Sequence, residues 1–166
     1  MKFELLVDSR PDEVVIALLK DKKLIELHKE AHNSNYAVGD IYLAKIKKVV
    51  SGLNAAFVDV GYERDGFLHY LDLGSKIKTY QNFLKRTLLG KLSTASLRNF
   101  KLQPEITKNG LINDVIEGGD KILVQVTKEP ISTKGPRLTT ELTLAGRYMV
   151  LVPFSDKVSV SQKINF

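Results

Sequence analysis

The sequence predicts a mainly β protein, and three observations carry that prediction. The stretch Gly39 to Leu73 holds three successive β-rich runs, Asp40 to Val50, Asn54 to Val60 and Asp65 to Tyr70. Ser51-Gly52 and Gly61-Tyr62-Glu63-Arg64 punctuate them at the spacing of a tight antiparallel meander. Strand character then returns at Lys121 to Lys128 and at Leu138 to Leu144, which brings this central set to five.

The chain begins with a region, Met1 to Glu30, that reads as a separate hairpin. Lys2 to Val7, Val14 to Leu19 and Leu24 to His28 are its strands, with turns at Arg10-Pro11-Asp12 and Asp21-Lys22-Lys23. A short helix opened by Pro11 is the alternative for Asp12 to Leu19, but the Val-Val-Ile run favours strand. A polar linker follows, from Glu30 to Val38. His28 and His32 would share a face only if this region were helical, which makes a weak metal signal.

Beyond the meander, Tyr80, Phe83, Leu84 and Leu88 recur at helical spacing. They predict an amphipathic helix over Lys78 to Leu89, with Lys85 and Arg86 outside the apolar stripe and Gly90 as its stop. From Lys91 to Lys108 the pattern is irregular, broken by Pro104, Asn109 and Gly110. The last two strands of the central set are separated by a turn over Glu129 to Gly135. A further strand, Tyr148 to Val152, has no place among the five. It is expected to pair with the N-terminal hairpin, so that the central unit is an insertion within another sheet.

Side chains alternate across a strand, so the two faces of the meander can be told apart. Ala56, Val58 and Val60 share one face with Leu68 and Tyr70 as core. Phe57, Phe67 and His69 then stand on the outer face. Two phenylalanines and a histidine on an open sheet make poor solvent surface and a good platform for stacking bases. Lys45 and Lys47 place positive charge on the first strand, where phosphates would be met. The bland alternative is that the rings pack under a loop and His69 is an ordinary surface residue.

At 166 residues, 43% of them hydrophobic, the chain is long enough for one sizeable core and a partial second unit. Val14 to Leu19 is far too short an apolar run for a membrane span, and charges at Lys2, Glu4, Asp8 and Arg10 argue against a signal peptide. There are no cysteines, hence no disulfide and no thiolate metal site, and the simplest compartment is the cytoplasm. The net charge of +6 is concentrated: Lys76 to Lys108 holds eight basic residues against Glu105 alone. Such asymmetry points to an anionic partner, with a solvated loop as the alternative. There is no phosphate-cradling glycine loop, no nucleophile elbow and no carboxylate cluster, so no catalytic residue is assigned.

The opening Gly39-Asp40, the run Ala56-Phe57-Val58-Asp59 and Gly66-Phe67-Leu68-His69 resemble the S1-type RNA-binding domain, a five-stranded OB-fold barrel. In that family the aromatic and histidine positions line the nucleic-acid face. A narrower resemblance rests on Gln125-Val126-Thr127-Lys128-Glu129, Thr133-Lys134-Gly135, Leu138-Thr139-Thr140 and the run Leu144 to Leu151. With Ala55 to Asp59 and Glu63 to Leu68, these are similar to the bacterial ribonuclease E/G family in collinear order, apart from the basic segment.

That resemblance implies a magnesium-dependent endoribonuclease acting on single-stranded RNA, its barrel inserted in a ribonuclease H-like subdomain. By position it implies RNA contacts at Phe57, Phe67 and Lys134, and part of a 5′-end pocket at Gly146 and Val150. The family's arginine-threonine pair of that pocket, its metal-binding aspartates and its zinc-link cysteines have no counterparts in this sequence. The expected division is 1–35 for the N-terminal strands of the ribonuclease H-like part and 36–144 for the barrel, with a basic insertion at 74–118. Residues 145–166 would then open the following sensor and ribonuclease H-like region. The chain is expected to bind RNA without cleaving it, with Lys45, Lys47, His69, Lys85 and Arg86 joining the family contacts. No cofactor is expected in the chain itself, magnesium and zinc being implied for the full-length enzyme, where homo-oligomerisation is also an option. The alternatives are a stand-alone S1-type RNA-binding module and, more weakly, a protein–protein scaffold whose aromatic face is an interface.

Overall fold

The computed structural model describes residues 1–31, 36–92, 97, 100–146, 148–156 and 159–161. His32, Arg98 and Arg147 lie outside them. The chain divides into two units, Met1–Asn35 and Tyr36–Phe166.

The first unit is an antiparallel sheet of β1 (Phe3–Ser9), β2 (Glu13–Lys20) and β3 (Lys23–Ala31), in that order. The β-branched run Val14-Val15-Ile16 is strand, and the helix weighed for it does not form. Asp21 and Lys22 both take positive φ, +47° and +70°, which is the two-residue turn whose twist matches the flanking strands. Phe3, Leu5, Leu6, Val7, Leu24, Ile25 and Leu27 remain exposed.

The second unit is built on a closed barrel in the order β4-β5-β6-β8-β7. Its strands are β4 (Ile41–Val50), β5 (Ala55–Asp59), β6 (Gly66–His69), β7 (Lys121–Lys128) and β8 (Arg137–Thr139). All pairings are antiparallel except β6 with β8. The alternation read from the sequence holds: Ala56, Val58, Val60, Leu68 and Tyr70 are core, and Phe57, Phe67 and His69 are half-buried on the outer face.

Parts of the stretch between β6 and β7 pack onto the barrel, while much of its described remainder is exposed. Its helix α1 (Ile77–Leu88) and the turn Ile112–Asp114 deliver Ile77, Ile112 and Ile116 into the barrel core. Gly90 ends the helix as expected, with φ +63°. Its N–H donates to Thr87 O and that of Lys91 to Arg86 O, the Schellman pattern. Asn54, itself left-handed at φ 46°, hooks the far end of the stretch to the meander. Its amide donates to Gly110 O (3.1 Å) and accepts from Ile112 N (2.7 Å).

Two expectations need correction. The fifth strand ends at Thr139, not Leu144, because the next backbone groups are diverted. Thr140 N donates to Asp72 O, Thr139 Oγ1 to the same carbonyl, and Gly74 N to Thr140 Oγ1. The strand after the barrel does not take the N-terminal hairpin as partner. It is β10 (Met149–Leu151), flanked on both edges by β9 (Leu144–Ala145) and β11 (Ser159–Val160) in a sheet of its own unit. Among the described residues no helix is long and apolar enough to cross a membrane.

Candidate nucleic-acid interface

The outer face of the barrel is organised by register. Lys48 on β4 sits opposite Phe57 on β5, Phe57 opposite Phe67 on β6, Phe67 opposite Arg137 on β8, and Arg137 opposite Lys128 on β7. One row therefore crosses all five strands with two rings at its centre and cations at both ends. The ring centroids are 5.9 Å apart at 69°, an edge-to-face pair that leaves ring surface open to a third planar group.

Lys48 reaches this row through a β-bulge. The β4–β5 register shifts between Ile46 and Lys48, so Lys47 is the extra residue and opposes nothing. Lys47 turns to the β5–β6 loop, where its ammonium meets Asp65 Oδ1 at 2.6 Å, and that hydrogen bond raises its pKa above the usual lysine value. Lys45 stands in a different row, between Lys121 and Asp59. Of the two lysines expected on this face, one is thus ion-paired and the other faces a carboxylate across the ladder.

Two glycines draw β6 and β8 together. A Cβ on Gly66 would lie 2.5 Å from Leu138 Cδ1, and one on Gly135 would lie 2.1 Å from the Asp65 carbonyl oxygen. Only hydrogen atoms fit at these points, and the gap is closed by Phe67 N donating to Pro136 O at 2.8 Å. The same approach brings the turn over Ile131 to Lys134, closed by two backbone hydrogen bonds, to the lip of the rings. The result is an open hollow of about 740 Å³ floored by Phe57 and Phe67. Arg64, Lys128, Lys134 and Arg137 line it against Asp65 and Glu129, so its charge balance is positive.

His69 shares the face of Phe67, two residues along, and its Nδ1 accepts from Leu71 N at 3.1 Å. That bond holds the ring at the start of the turn Tyr70–Asp72. Lys134 lines the same hollow as the rings. Lys85 and Arg86 do not. Lys85 lines a separate hollow with Asp120 and Lys121, at the start of β7, whereas Lys128 at its end belongs to the aromatic row. Seven residue-to-residue steps separate those ends, roughly 23 Å at about 3.3 Å per step. Arg86 lies over the Phe100 ring at 5.6 Å, in the cluster that Phe83, Phe100 and Phe154 form. Phe100 is thus packed against Phe83 and Phe154.

Gly146 and Val150 both belong to the β9–β10 pairing, where Val150 stands opposite Ala145 and Gly146 N donates to Met149 O at 2.8 Å. Neither lines the aromatic hollow. Asp59, Asp65 and Asp72 each have a partner. Asp59 accepts from Gly61 N, Asp65 pairs with Lys47 and Asp72 with Arg137. Among the described residues no three His, Cys, Asp or Glu side chains gather where an ion would be held.

Sequence reasoning missed Lys48, Lys128, Arg137 and Arg64. No local signal marks the bulge that selects Lys48 over Lys47. Lys128 stands inside the run Gln125 to Glu129 and Arg137 just before Leu138-Thr139-Thr140, and neither run by itself marks a cationic face.

No protein-family model matches the chain. Among curated proteins it is similar to ribonuclease G of Haemophilus influenzae, 35% identical over 161 residues, 97% of this chain and 29% of that protein. Ribonuclease G of Escherichia coli K12 is 33% identical over 99% of this chain and 30% of its own length. A ribonuclease E/G-like protein of Porphyra purpurea is 41% identical over 80% of this chain and 21% of its own. The chain thus spans less than a third of the length of these relatives. The match runs through both units, the barrel and the hairpin after it, and on that basis the chain belongs to the ribonuclease E/G family.

Proposed function

We propose that this chain grips single-stranded RNA as the substrate-binding part of a ribonuclease E/G-type endoribonuclease serving RNA processing and decay in the cytoplasm. The observation that carries the reading is the Phe57–Phe67 pair, open on the outer face and flanked along one register row by Lys48, Arg137 and Lys128. Aromatic faces stack on any base that is free to splay out, and duplex bases are not free. Cations on either side meet the backbone phosphates without reading sequence. Lys134 at the lip of the hollow adds a third direction of approach.

Cleavage, and any metal it uses, belongs in this reading to parts of the enzyme other than the residues described here. The hairpin holding Gly146 and Val150 is proposed to contribute to a pocket for the RNA 5′ end. A stand-alone RNA-binding module is the second reading, and the collinear match to ribonuclease G over nearly the whole chain favours the first.

The test is the anisotropy of a labelled single-stranded RNA titrated with the purified chain. Phe57→Ala and Phe67→Ala should each weaken binding by about 1–3 kcal/mol, the amount associated with one stacked base. Unchanged affinity in both variants, with circular dichroism showing intact folding, would refute the stacking role. Magnesium-dependent cleavage by the purified chain would refute the division of labour.

A further inference from the structure

Resting on the RNA-gripping reading above, the register row makes a sharper statement about how the strand lies. We propose that Lys48 and Arg137 are the phosphate contacts on the two sides of the ring pair, with Asp72 positioning Arg137, so that RNA runs across the β-strands along this row. From Lys48 to Arg137 the row takes three inter-strand steps, roughly 14 Å at about 4.8 Å each. That distance holds two rings between two cations, which is two bases between two phosphates.

Arg137 is not a loose surface cation. Asp72 accepts from its Nε at 3.1 Å and from its Nη2 at 3.0 and 3.2 Å, a bidentate grip that orients the guanidinium plane. Nη1 has no hydrogen-bond partner among the described residues, and the side chain lines the hollow. A guanidinium held along one edge and open on another is preorganised to receive a phosphate oxygen. The pair's side chains are 46% and 21% exposed, and ion pairs this exposed contribute little to stability. Asp72 is itself held, since its carbonyl accepts from both Thr140 N and Thr139 Oγ1. At the other end, Lys48 has no ion-pair partner among the described residues. Its neighbour Lys47 is bound to Asp65, and Lys45 faces Asp59.

The experiment measures RNA affinity against salt for the purified chain with a labelled single-stranded oligonucleotide. Lys48→Gln and Arg137→Gln should each make the slope of log affinity against log salt shallower by about 0.7, one phosphate contact each. Base preference should be unchanged, because phosphate contacts position without specifying. Asp72→Asn separates positioning from charge. It removes a negative charge beside the RNA, so charge alone predicts tighter binding, whereas loss of the grip on Arg137 predicts weaker binding by several-fold. Equal or tighter binding by Asp72→Asn overturns the positioning role. Unchanged slopes in Lys48→Gln and Arg137→Gln, with Phe57→Ala and Phe67→Ala still weakened, overturn this inference and leave the RNA-gripping reading standing. If the phenylalanine variants are also unchanged, that reading falls. Lys48 is an exposed strand residue, so its variant decides the matter even where substitution of Arg137 impairs folding.

Discussion

Replacing Gly135 with alanine tests whether the candidate site depends on the closeness of two backbones. The new Cβ would lie 2.1 Å from Asp65 O, 2.7 Å from Asp65 C and 2.8 Å from Arg64 O. All three are main-chain atoms, so no side chain can swing aside, and the β8 entry must back away from the loop by more than about 1 Å. Overpacking of this kind costs about 1–3 kcal/mol. Displacing Phe67 N from Pro136 O, now 2.8 Å apart, adds about 1 kcal/mol. The reduced freedom of the unfolded chain offsets about 0.4–1 kcal/mol. The net expectation is a loss of about 1–3.5 kcal/mol, which lowers the melting temperature of a domain this size by about 3–10 °C. Thermal unfolding followed by far-ultraviolet circular dichroism measures it. Gly52→Ala is the control, since its Cβ meets nothing within 4 Å. RNA binding by Gly135→Ala at a temperature where the variant stays folded should also weaken, because Phe67 and Lys134 lose their mutual placement. A melting temperature within about 2 °C of the parent would refute the close-approach argument.

Two other perturbations probe the stretch between β6 and β7. Burial pushes the Tyr80 phenol from its ordinary 10.0 up to about 12, and its hydroxyl donates to Pro153 O at 3.1 Å. The unfolded chain ionises first as pH rises, so this contribution to stability is full below pH 10 and is lost between about 10 and 12. The Tyr80 phenol should titrate late in the ultraviolet absorbance of the folded chain, and Tyr80→Phe should remove one phenol from the late-titrating absorbance, to which Tyr42, also shifted upward by burial, contributes as well; an unchanged late amplitude would contradict the assignment. Asn54→Ala removes two hydrogen bonds and places a Cβ residue without a capping amide in the left-handed region, for a loss of about 2–4 kcal/mol. Asn54→Gly relieves the backbone and loses only the bonds, so chemical denaturation should rank it between the parent and the alanine variant. An Asn54→Gly variant as stable as the parent would show that the hooks do not matter.

The parts of this fold that were legible in the sequence are those set by neighbours along the chain. Period-two alternation placed Ala56, Val58 and Leu68 inside and Phe57, Phe67 and His69 outside, and each lies there. Gly90 read as a helix stop because only a residue tolerant of positive φ closes that motif without strain, and the helix ends there. The three N-terminal strands were legible for the same reason, their turn residues lying between them in sequence. The exposure of Lys45 and Lys47 was legible too, but their partners were not.

What tertiary structure decided is which distant residues share a row. The bulge at Lys47 is one added residue in a ladder, invisible to alternation, and it hands the place beside Phe57 to Lys48. Arg137 meets Phe67 only because β6 and β8 pair in parallel across a separation of 70 residues, with Gly66 and Gly135 permitting the approach. The basic stretch read as an anionic-ligand segment or a solvated loop. Its apolar residues Ile77, Ile112 and Ile116 close the barrel, and that closure carries Lys85 and Arg86 away from the rings. Local pattern determines which face a side chain takes, because the backbone repeats every two or 3.6 residues. Which faces meet is settled by burial and register over the whole barrel, a balance that no short window of sequence contains.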